Sequence, residues 1–202
     1  MSHNIDHIFY INLDRRADRR EQIEEELNKF ELPFERFPAI ALDMGILGCG
    51  LSHLSVFKKA KERGYKNVLI FEDDFYFLVD KQTLEGELTN FFDSKIEYNV
   101  LMFAYNVTED EEVPDHPFIR RILTGQSAAC YIVNENYYDT LIALYEYAMP
   151  MLEQTGSHWV YANDQVWKAL QPNDKWYYFV NRIGRQRDGF SDNAGRYMEY
   201  NC

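Results

Sequence analysis

Asn67-Val-Leu-Ile-Phe-Glu-Asp-Asp74 joins a strand-sized apolar run to three successive acidic residues. The apolar run is typical of a strand buried inside a sheet. In open α/β folds, ligands bind in the crevice beyond the carboxyl ends of the strands, so Glu72, Asp73 and Asp74 are predicted to face such a crevice. Three adjacent carboxylates repel one another, and a hard divalent metal that also binds phosphate oxygens is the simplest cation to place among them. The stretch therefore favours an enzyme that acts on a nucleotide or a nucleotide sugar.

The three acids are not predicted to be equivalent. Alternation along an extended segment places Glu72 and Asp74 on one side and Asp73 on the other, so the first two should share one site. The alternative interpretation is a set of helix-capping or solvated acids after a strand.

Helix and strand patterns alternate along most of the chain. A buried strand is predicted over Ile8–Leu13, and the spacing of Ile23, Leu27 and Phe30 indicates a helix after it. The sequence also predicts a glycine-rich turn over Gly45–Gly50, a helix over Leu51–Arg63, a solvated acidic loop over Val107–Pro117, and a helix from Glu135 that Pro150 stops. This alternation predicts a single α/β domain over residues 1–202 with a mostly parallel central sheet and a mixed edge.

Composition argues against one broad class of function. The 202 residues carry 33 acidic and 21 basic side chains, a net charge of −12, whereas a nucleic-acid-binding protein needs a basic face for the phosphates. The three cysteines, Cys49, Cys130 and Cys202, are widely spaced. They predict reduced thiols rather than a zinc motif or a disulfide framework.

Targeting and membrane signals are not recognisable in the sequence. The N-terminus lacks a basic-then-apolar pattern, and no run approaches the ~18 apolar residues of a membrane span. We therefore expect a cytoplasmic protein without a membrane span, in the host cytoplasm if the source is viral rather than bacterial. The oligomeric state is not readable from the sequence.

Arginines cluster where the first strand should end. Asn12-Leu-Asp-Arg-Arg16, with Arg19 and Arg20, could bind a pyrophosphate through positive charge and free backbone N–H groups. The alternative is an ordinary helix entry with pairing four residues apart, as between Arg20 and Glu24.

A second candidate segment is Gly48-Cys-Gly-Leu-Ser-His53. It is neither a P-loop nor a dinucleotide fingerprint, because the required spacings and the lysine are missing. Ser52 and His53 could contact a ligand or could satisfy backbone groups at a helix start. Cys49 and His53 lie four residues apart, but nothing else supports a cysteine hydrolase.

Two later segments could contribute to the site. Asp164, in Asn163-Asp164-Gln165, is predicted just inside a helix, whose dipole would favour its ionised form. Trp159, Tyr161 and Trp167 nearby offer stacking faces for a sugar or are simply core residues. The segment from Gln186 to Asp192 could close over a nucleotide as a lid, or could be a frayed terminus.

Taken together, six segments in this order resemble glycosyltransferase family 25, which includes lipopolysaccharide and procollagen galactosyltransferases. They are FYINLDRRADRR at 9–20, GCGLSHLSVFKKA beginning at 48, NVLIFEDDF at 67–75, TGQSAACYIVN at 124–134, NDQVW at 163–167 and QRDGFSD at 186–192. The resemblance implies a GT-A type, Rossmann-like fold. It also implies a UDP-sugar donor and transfer of a hexose, galactose or glucose, with inversion at the anomeric carbon.

The resemblance also implies roles for individual residues. Residues 1–105 would form the nucleotide-sugar-binding half, and residues 106–202 the acceptor side with a C-terminal lid. Asp74, supported by Glu72 and Asp192, would bind Mn²⁺ or Mg²⁺, and Glu72 or Asp73 would contact ribose or a metal-bound water. The remaining donor contacts would come from Leu13, Arg16, Ser52, His53, Gln186 and Arg187.

A second carboxylate is required to deprotonate the acceptor hydroxyl. We predict Asp164 for this role, with Asp192 and Glu153 as alternatives. The acceptor stays open among a glycan, a lipid-linked sugar and hydroxylysine. Two other functions remain as alternatives: a degenerate transferase fold that only binds a glycan or protein partner, and a metal-dependent nucleotidyl or phosphoryl enzyme.

Overall fold

The computed structural model describes residues 4–191 and 195–200. The strands in these residues are β1 (His7–Asn12), β2 (Glu35–Pro38), β3 (Asn67–Glu72), β4 (Phe75–Phe77), β5 (Val100–Met102), β6 (Asn106–Glu112), β7 (Ile119–Gln126), β8 (Cys130–Asn134), β9 (Trp176–Phe179), β10 (Gly184–Gln186), β11 (Gly189–Ser191) and β12 (Arg196–Met198). The helices are α1 (Ala17–Lys29), α2 (Gly45–Glu62), α3 (Lys81–Asp93), α4 (Tyr138–Thr155), α5 (His158–Tyr161) and α6 (Asn163–Val166), with 3₁₀ turns at Glu135–Tyr137 and Trp167–Ala169.

One large sheet runs through the centre, with the strand order β2-β1-β3-β8-β5-β9-β7-β6. Strands β2, β1 and β3 are mutually parallel, and β5 is parallel to β9. The pairs β3–β8, β8–β5, β9–β7 and β7–β6 are antiparallel. The predicted α/β fold is confirmed, and its sheet is mixed well beyond one edge.

Helices cover both faces of this sheet. Along β3, Val68 and Ile70 pack into the core that contains α2 and α4, while Leu69 and Phe71 pack into the core that contains α1 and α3. Successive side chains of a strand point to opposite faces, so a strand buried on both sides is apolar throughout. The unbroken apolar run that led to this prediction is therefore explained by the two helical layers.

The parallel pairing of β1 and β3 positions the acidic residues. Ile11 of β1 lies opposite Glu72 of β3, so the residues that follow both strands emerge at the same edge of the sheet. The chain returns to this edge late in the sequence, where β10 pairs with β4 and Gln186 lies opposite Phe75. Segments far apart in sequence therefore surround the three acids.

The predicted loop over Val107–Pro117 is wrong in its first half, which forms the edge strand β6. Its acids are exposed or half-buried, as the composition indicated, but its backbone pairs with β7. Arg120 of β7 donates to Asp110 at 2.7 Å, and Arg121 pairs with Glu111. Charged side chains are common on edge strands, where they discourage further strand addition.

The end of α4 also differs from the prediction. Pro150 does not end α4, which continues to Thr155 with Met149 and Leu152 in the core and stops at Gly156, a residue with φ of 66°. Burial of these side chains outweighs the missing hydrogen bond at the proline.

The predicted glycine-rich turn is instead the first part of α2, which starts at Gly45. The glycines allow close packing rather than a turn. A Cβ atom on Gly48 would lie 2.3 Å from the carbonyl oxygen of Ile40, and one on Gly50 would lie 2.2 Å from Sδ of Met149. The backbone of α2 consequently packs directly against the Ile40 backbone and against the Met149 side chain.

We expect Gly48→Ala to lower the free energy of unfolding by about 1–3 kcal/mol, because the Ile40 backbone must shift to admit the methyl group. Gly86→Ala is the matched control, since Gly86 lies in α3 with nothing within 4 Å of an added Cβ. Removing a helical glycine should stabilise the protein by about 0.5–1 kcal/mol. Urea denaturation of both variants tests this, and equal stability changes would contradict the packing role of Gly48.

Candidate active site

A cleft opens at the sheet edge where β1 and β3 end. It encloses about 730 Å³, counting space open to solvent. Its walls come from the end of β1, the segment before α2, the residues after β3 and the C-terminal segment. The lining residues are Ile11, Asn12, Leu13, Arg15, Arg16, Arg19, Ala39, Ile40, Ala41, Leu42, Gly45, Cys49, Glu72, Asp73, Asp74, Gln186, Ser191 and Tyr200.

Arg19, on α1, is a positively charged residue that forms ion pairs with two of the three acids. Its Nη1 lies 3.1 Å from Oδ1 of Asp73 and 2.8 Å from Oδ2 of Asp74. The prediction that Glu72 and Asp74 share one site, with Asp73 on the other side, is therefore wrong, because Asp73 and Asp74 converge on this guanidinium. The strand ends at Glu72, so side-chain alternation no longer applies to the two aspartates.

Asn12 holds the other side of Asp73. Its Nδ2 donates to Oδ2 of Asp73 at 2.7 Å, and its Oδ1 accepts from Nε of Arg36 at 3.1 Å. Sequence reasoning placed Asn12 in the arginine segment but did not connect it to the acids. The sequence did contain an indication of this role, because Asn12 is a polar residue at the end of a buried strand, and that strand lies parallel to β3.

Asp74 is deeply buried and only partly hydrogen-bonded. It is 5% exposed, and its Oδ2 accepts from Nε2 of Gln186 at 2.9 Å, while its buried Oδ1 has no hydrogen-bond partner. Burial, followed by the negative charge of Glu72, raises the pKa of Asp74 to about 7, although Arg19 opposes the shift. Burial also raises the pKa of Asp73. Both carboxyls therefore keep a proton to a higher pH than exposed aspartates do.

This shift predicts how stability depends on pH. Folded Asp74 keeps its proton up to about pH 7, whereas the unfolded carboxyl loses it near 3.8, so its contribution to stability is lost as the pH rises through this window. We expect the urea midpoint without divalent ions to fall between pH 5 and pH 8. Asp74→Asn should at least halve that fall, and an unchanged slope in the variant would refute the raised pKa.

Glu72 turns away from the aspartates, toward α2. Its Oε1 lies 3.0 Å from Nε2 of His53 and 3.4 Å from Sγ of Cys49. The opposite ring nitrogen of His53 lies 2.7 Å from the hydroxyl of Tyr131 on β8. Glu72 remains partly accessible from the cleft, with 20% of its side chain exposed.

The predicted direct contacts of Ser52 and His53 with a nucleotide-sugar donor are not available, because both residues are fully buried. The Ser52 hydroxyl donates to the carbonyl oxygen of Gly48 at 2.6 Å and accepts from the Ile40 N–H at 2.8 Å. Ser52 thus fixes the segment that lines the cleft, and His53 reaches the cleft only through Glu72.

The arginines after β1 divide between the cleft and the surface. Arg16 lines the cleft and pairs with Asp18 at 2.8 Å. Arg20 pairs with Glu24 at 2.9 Å, which is the ordinary helix pairing considered above. Arg16 also occupies the N-cap position of α1, directly before the first helical residue, Ala17.

The C-terminal segment is tied to the acids by its backbone. The N–H of Arg187 donates to the carbonyl oxygen of Asp74 at 2.6 Å, but its guanidinium points to Glu26, 3.1 Å away, and packs on the Tyr76 ring. The Arg187 side chain is therefore not among the residues that line the cleft, whereas Gln186 is. The predicted metal ligand Asp192 lies outside the described residues.

Asp164 lies behind the cleft wall formed by Cys49. Its Oδ2 accepts from the Ser127 N–H at 3.2 Å, and the neighbouring Asn163 donates to Sγ of Cys49 at 3.5 Å. Burial, with a contribution from the Glu72 charge, raises its pKa. The expectation that the helix dipole favours ionised Asp164 is not met, because α6 is only four residues long and burial favours the protonated carboxyl.

The three aromatic residues near Asp164 have different environments. Trp167 is fully buried, and its Nε1 donates to the carbonyl oxygen of Gly125 at 3.3 Å, so it cannot stack on a sugar. Trp159 is 67% exposed, and Tyr161 packs against the core while contacting the exposed Tyr147 ring. Only Trp159 and Tyr161 therefore keep accessible ring surface among these three.

The layered α/β architecture, with a cleft at the carboxyl ends of β1 and β3, is a GT-A type fold. Two solved structures share this fold. A glycosyltransferase involved in glycosylation of the major capsid of PBCV-1 matches with a TM-score of 0.52 and 11% identity over 85% of this chain and 80% of its own. A197 from STIV has the same TM-score and identity over 97% of this chain and 94% of its own.

A family model described as glycosyltransferase family 25 (LPS biosynthesis protein) matches residues 41–151. The chain belongs to glycosyltransferase family 25. A glycosyltransferase 25 family member of Drosophila pseudoobscura pseudoobscura is 29% identical over 54% of this chain and 22% of its own length. Procollagen galactosyltransferase 1-A of Xenopus laevis is 24% identical over 56% of this chain and 23% of its own length.

The match to these two relatives thus spans less than a quarter of their length. No helix in residues 4–191 and 195–200 is both long and apolar enough to cross a bilayer.

Proposed function

We propose that the protein transfers a hexose, galactose or glucose, from a UDP-sugar to a hydroxyl acceptor, with inversion at the anomeric carbon and with help from a divalent metal. The observation that carries this proposal is the convergence of Asp73 and Asp74 beside three arginines in one cleft. The chain as a whole is strongly acidic, yet Arg15, Arg16 and Arg19 are concentrated where a diphosphate would have to bind.

The acidic residues fit a hard divalent ion. The buried Oδ1 of Asp74 has no hydrogen-bond partner, and carboxylate oxygens are the ligands that Mn²⁺ and Mg²⁺ prefer. Asp74 would hold the ion with Glu72 or Asp73, and Asp192 remains a proposed additional ligand. When bound, the ion would offset negative charge on the departing diphosphate.

Arg19 and Arg16 would act on the same diphosphate from the α1 side. Arg19 already contacts both aspartates, and its Nη2 donates to the Phe190 carbonyl oxygen at 2.9 Å. A guanidinium that is fixed in this way can orient phosphate oxygens with little further loss of conformational freedom. Leu13 and the residues before α2 would line the nucleoside side of the cleft.

Asp164 would deprotonate the acceptor hydroxyl as this attacks the sugar. Its raised pKa brings it closer to neutral pH, where a general base is most effective. Its position beside Cys49 separates it from the Asp73–Asp74 pair. The two sets of carboxylates could therefore serve the nucleophile and the leaving group respectively. The exposed Trp159 ring is a candidate surface for a sugar-containing acceptor.

A donor screen tests the proposed reaction. Thermal unfolding with UDP-galactose, UDP-glucose, UDP and ATP, each with and without Mn²⁺, should show the largest stabilisation with one UDP-sugar plus Mn²⁺. NMR of the product made with simple sugar acceptors should show a glycoside of inverted configuration. Glycan binding without donor binding would favour the degenerate module, and phosphate transfer from ATP would favour the phosphoryl enzyme.

A further inference from the structure

We propose that Cys49, His53 and Glu72 form a second metal site, selective for thiophilic divalent cations such as Zn²⁺ and distinct from the Asp73–Asp74 pair. One ligand atom from each of the three side chains lies within 4.8 Å of the other two. Thiolate, imidazole and carboxylate are the three ligand types that zinc uses in proteins. Manganese and magnesium, in contrast, prefer sites made of oxygen atoms alone.

The scaffold sets the spacing of these ligands. Cys49 and His53 are four residues apart on α2, so their side chains lie on the same helix face. Glu72 arrives from the end of β3, with Oε1 at 3.0 Å from Nε2 of His53 and 3.4 Å from Sγ of Cys49. Tetrahedral zinc places such ligand atoms about 3.2–3.6 Å apart, so the two measured separations require little movement.

Tyr131 supplies the outer contact that metal-binding histidines usually have. Its hydroxyl lies 2.7 Å from Nδ1 of His53. A hydroxyl can either donate or accept. When Nε2 binds a metal, the imidazole proton resides on Nδ1, and the Tyr131 oxygen can accept it. This arrangement would fix both the ring orientation and the tautomer.

The site has an entry path and an open side. Cys49 and Glu72 line the cleft, whereas His53 is fully buried behind them. Three protein ligands leave the fourth position of a tetrahedral ion facing the cleft, where water or a ligand atom can bind. The Cys49 thiol gives up its proton to the solvent when the metal binds, and no redox partner is needed.

Occupation of this site would also affect transfer, a consequence that rests on the proposed function. A Glu72 carboxylate held by zinc would be less available to the Mn²⁺ ion that is proposed beside Asp74. Micromolar Zn²⁺ is therefore expected to inhibit the Mn²⁺-dependent reaction, whereas Cys49→Ser should relieve that inhibition. The binding experiment that follows does not depend on activity.

Titration with Co²⁺ tests the site directly, because cobalt bound to a thiolate gives a charge-transfer absorption band in the near ultraviolet. We expect the wild-type protein to show this band at one equivalent, and Zn²⁺ to abolish it. Cys49→Ser should remove the band. Cys202→Ser and Asp74→Asn should keep it, since neither removes one of the three ligands.

Tyr131→Phe should weaken Co²⁺ binding by about 10- to 100-fold. His53→Gln provides a second ligand variant, and circular dichroism establishes whether it remains folded. The proposal is overturned if the wild-type protein shows no band, if the band survives in Cys49→Ser, or if Asp74→Asn removes it.

Discussion

Asp74→Asn is expected to reduce hexose transfer by at least about 100-fold and to remove the dependence of UDP affinity on Mn²⁺. Asparagine preserves the shape of the side chain and can still contact Gln186, but it removes the negative charge and the unpartnered Oδ1. Loss of one electrostatic contact to a developing charge typically costs about 10²–10³ in turnover. Initial rates and UDP titrations with and without Mn²⁺ measure both effects.

Glu146→Gln is a suitable control for this variant. Glu146 is half-exposed on α4 and pairs with Lys58 at 2.7 Å, a surface contact worth little to stability. The control should transfer hexose at the wild-type rate. An Asp74→Asn protein that retained the wild-type rate and the wild-type response to manganese would remove Asp74 from the metal site.

Asp164→Asn should lower turnover by about 10²–10⁴, the usual contribution of a general base, while UDP affinity stays within about twofold of the wild type. Asparagine can still accept the Ser127 N–H, so the local backbone should be preserved. The expected split between rate and donor binding follows from the position of Asp164 behind Cys49, away from the Asp73–Asp74 pair.

The pH profile adds a second measure of the role of Asp164. Since burial raises the pKa of Asp164, part of the fall in the wild-type rate on acidification should come from this group, and the variant should lack that part while keeping the part that comes from Asp74. If Asp164→Asn kept the wild-type rate, the base would have to be sought elsewhere, with Glu153 and Asp192 as the alternatives.

The sequence was most informative where burial alone determines structure. Val68 to Phe71 predicted β3 correctly because both sheet faces are covered, and such a strand has no polar alternation to obscure it. The acids beyond it were correctly placed at a crevice. Which acids pair with each other was not predictable, because side-chain alternation fails once the strand ends at Glu72.

Errors arose where tertiary contacts override local signals. Gly48 and Gly50 resemble a turn in sequence, but their missing side chains let α2 approach the Ile40 carbonyl and Met149. The acidic stretch of β6 resembles a loop, yet the arginines of β7 neutralise it at the sheet edge. Neither partner is near in sequence, so no local pattern could reveal it.

The site residues that were missed or misassigned also depend on contacts between segments that are far apart in the sequence. Arg19 was one of several arginines in the sequence, and only packing of α1 against the sheet edge identifies it as the residue that bridges Asp73 and Asp74. Ser52 and His53 were predicted to contact ligand directly, whereas burial of the α2 face turns them into supports for Ile40 and Glu72.

Calorimetric titration of UDP into the wild-type protein, with Mn²⁺ and then with EDTA, tests the central claim most directly. The account predicts that UDP binds at least tenfold more tightly when Mn²⁺ is present, because the carboxylates at the end of β3 hold the ion against the diphosphate. Equal UDP affinity under both conditions, or no UDP binding in either, would contradict it.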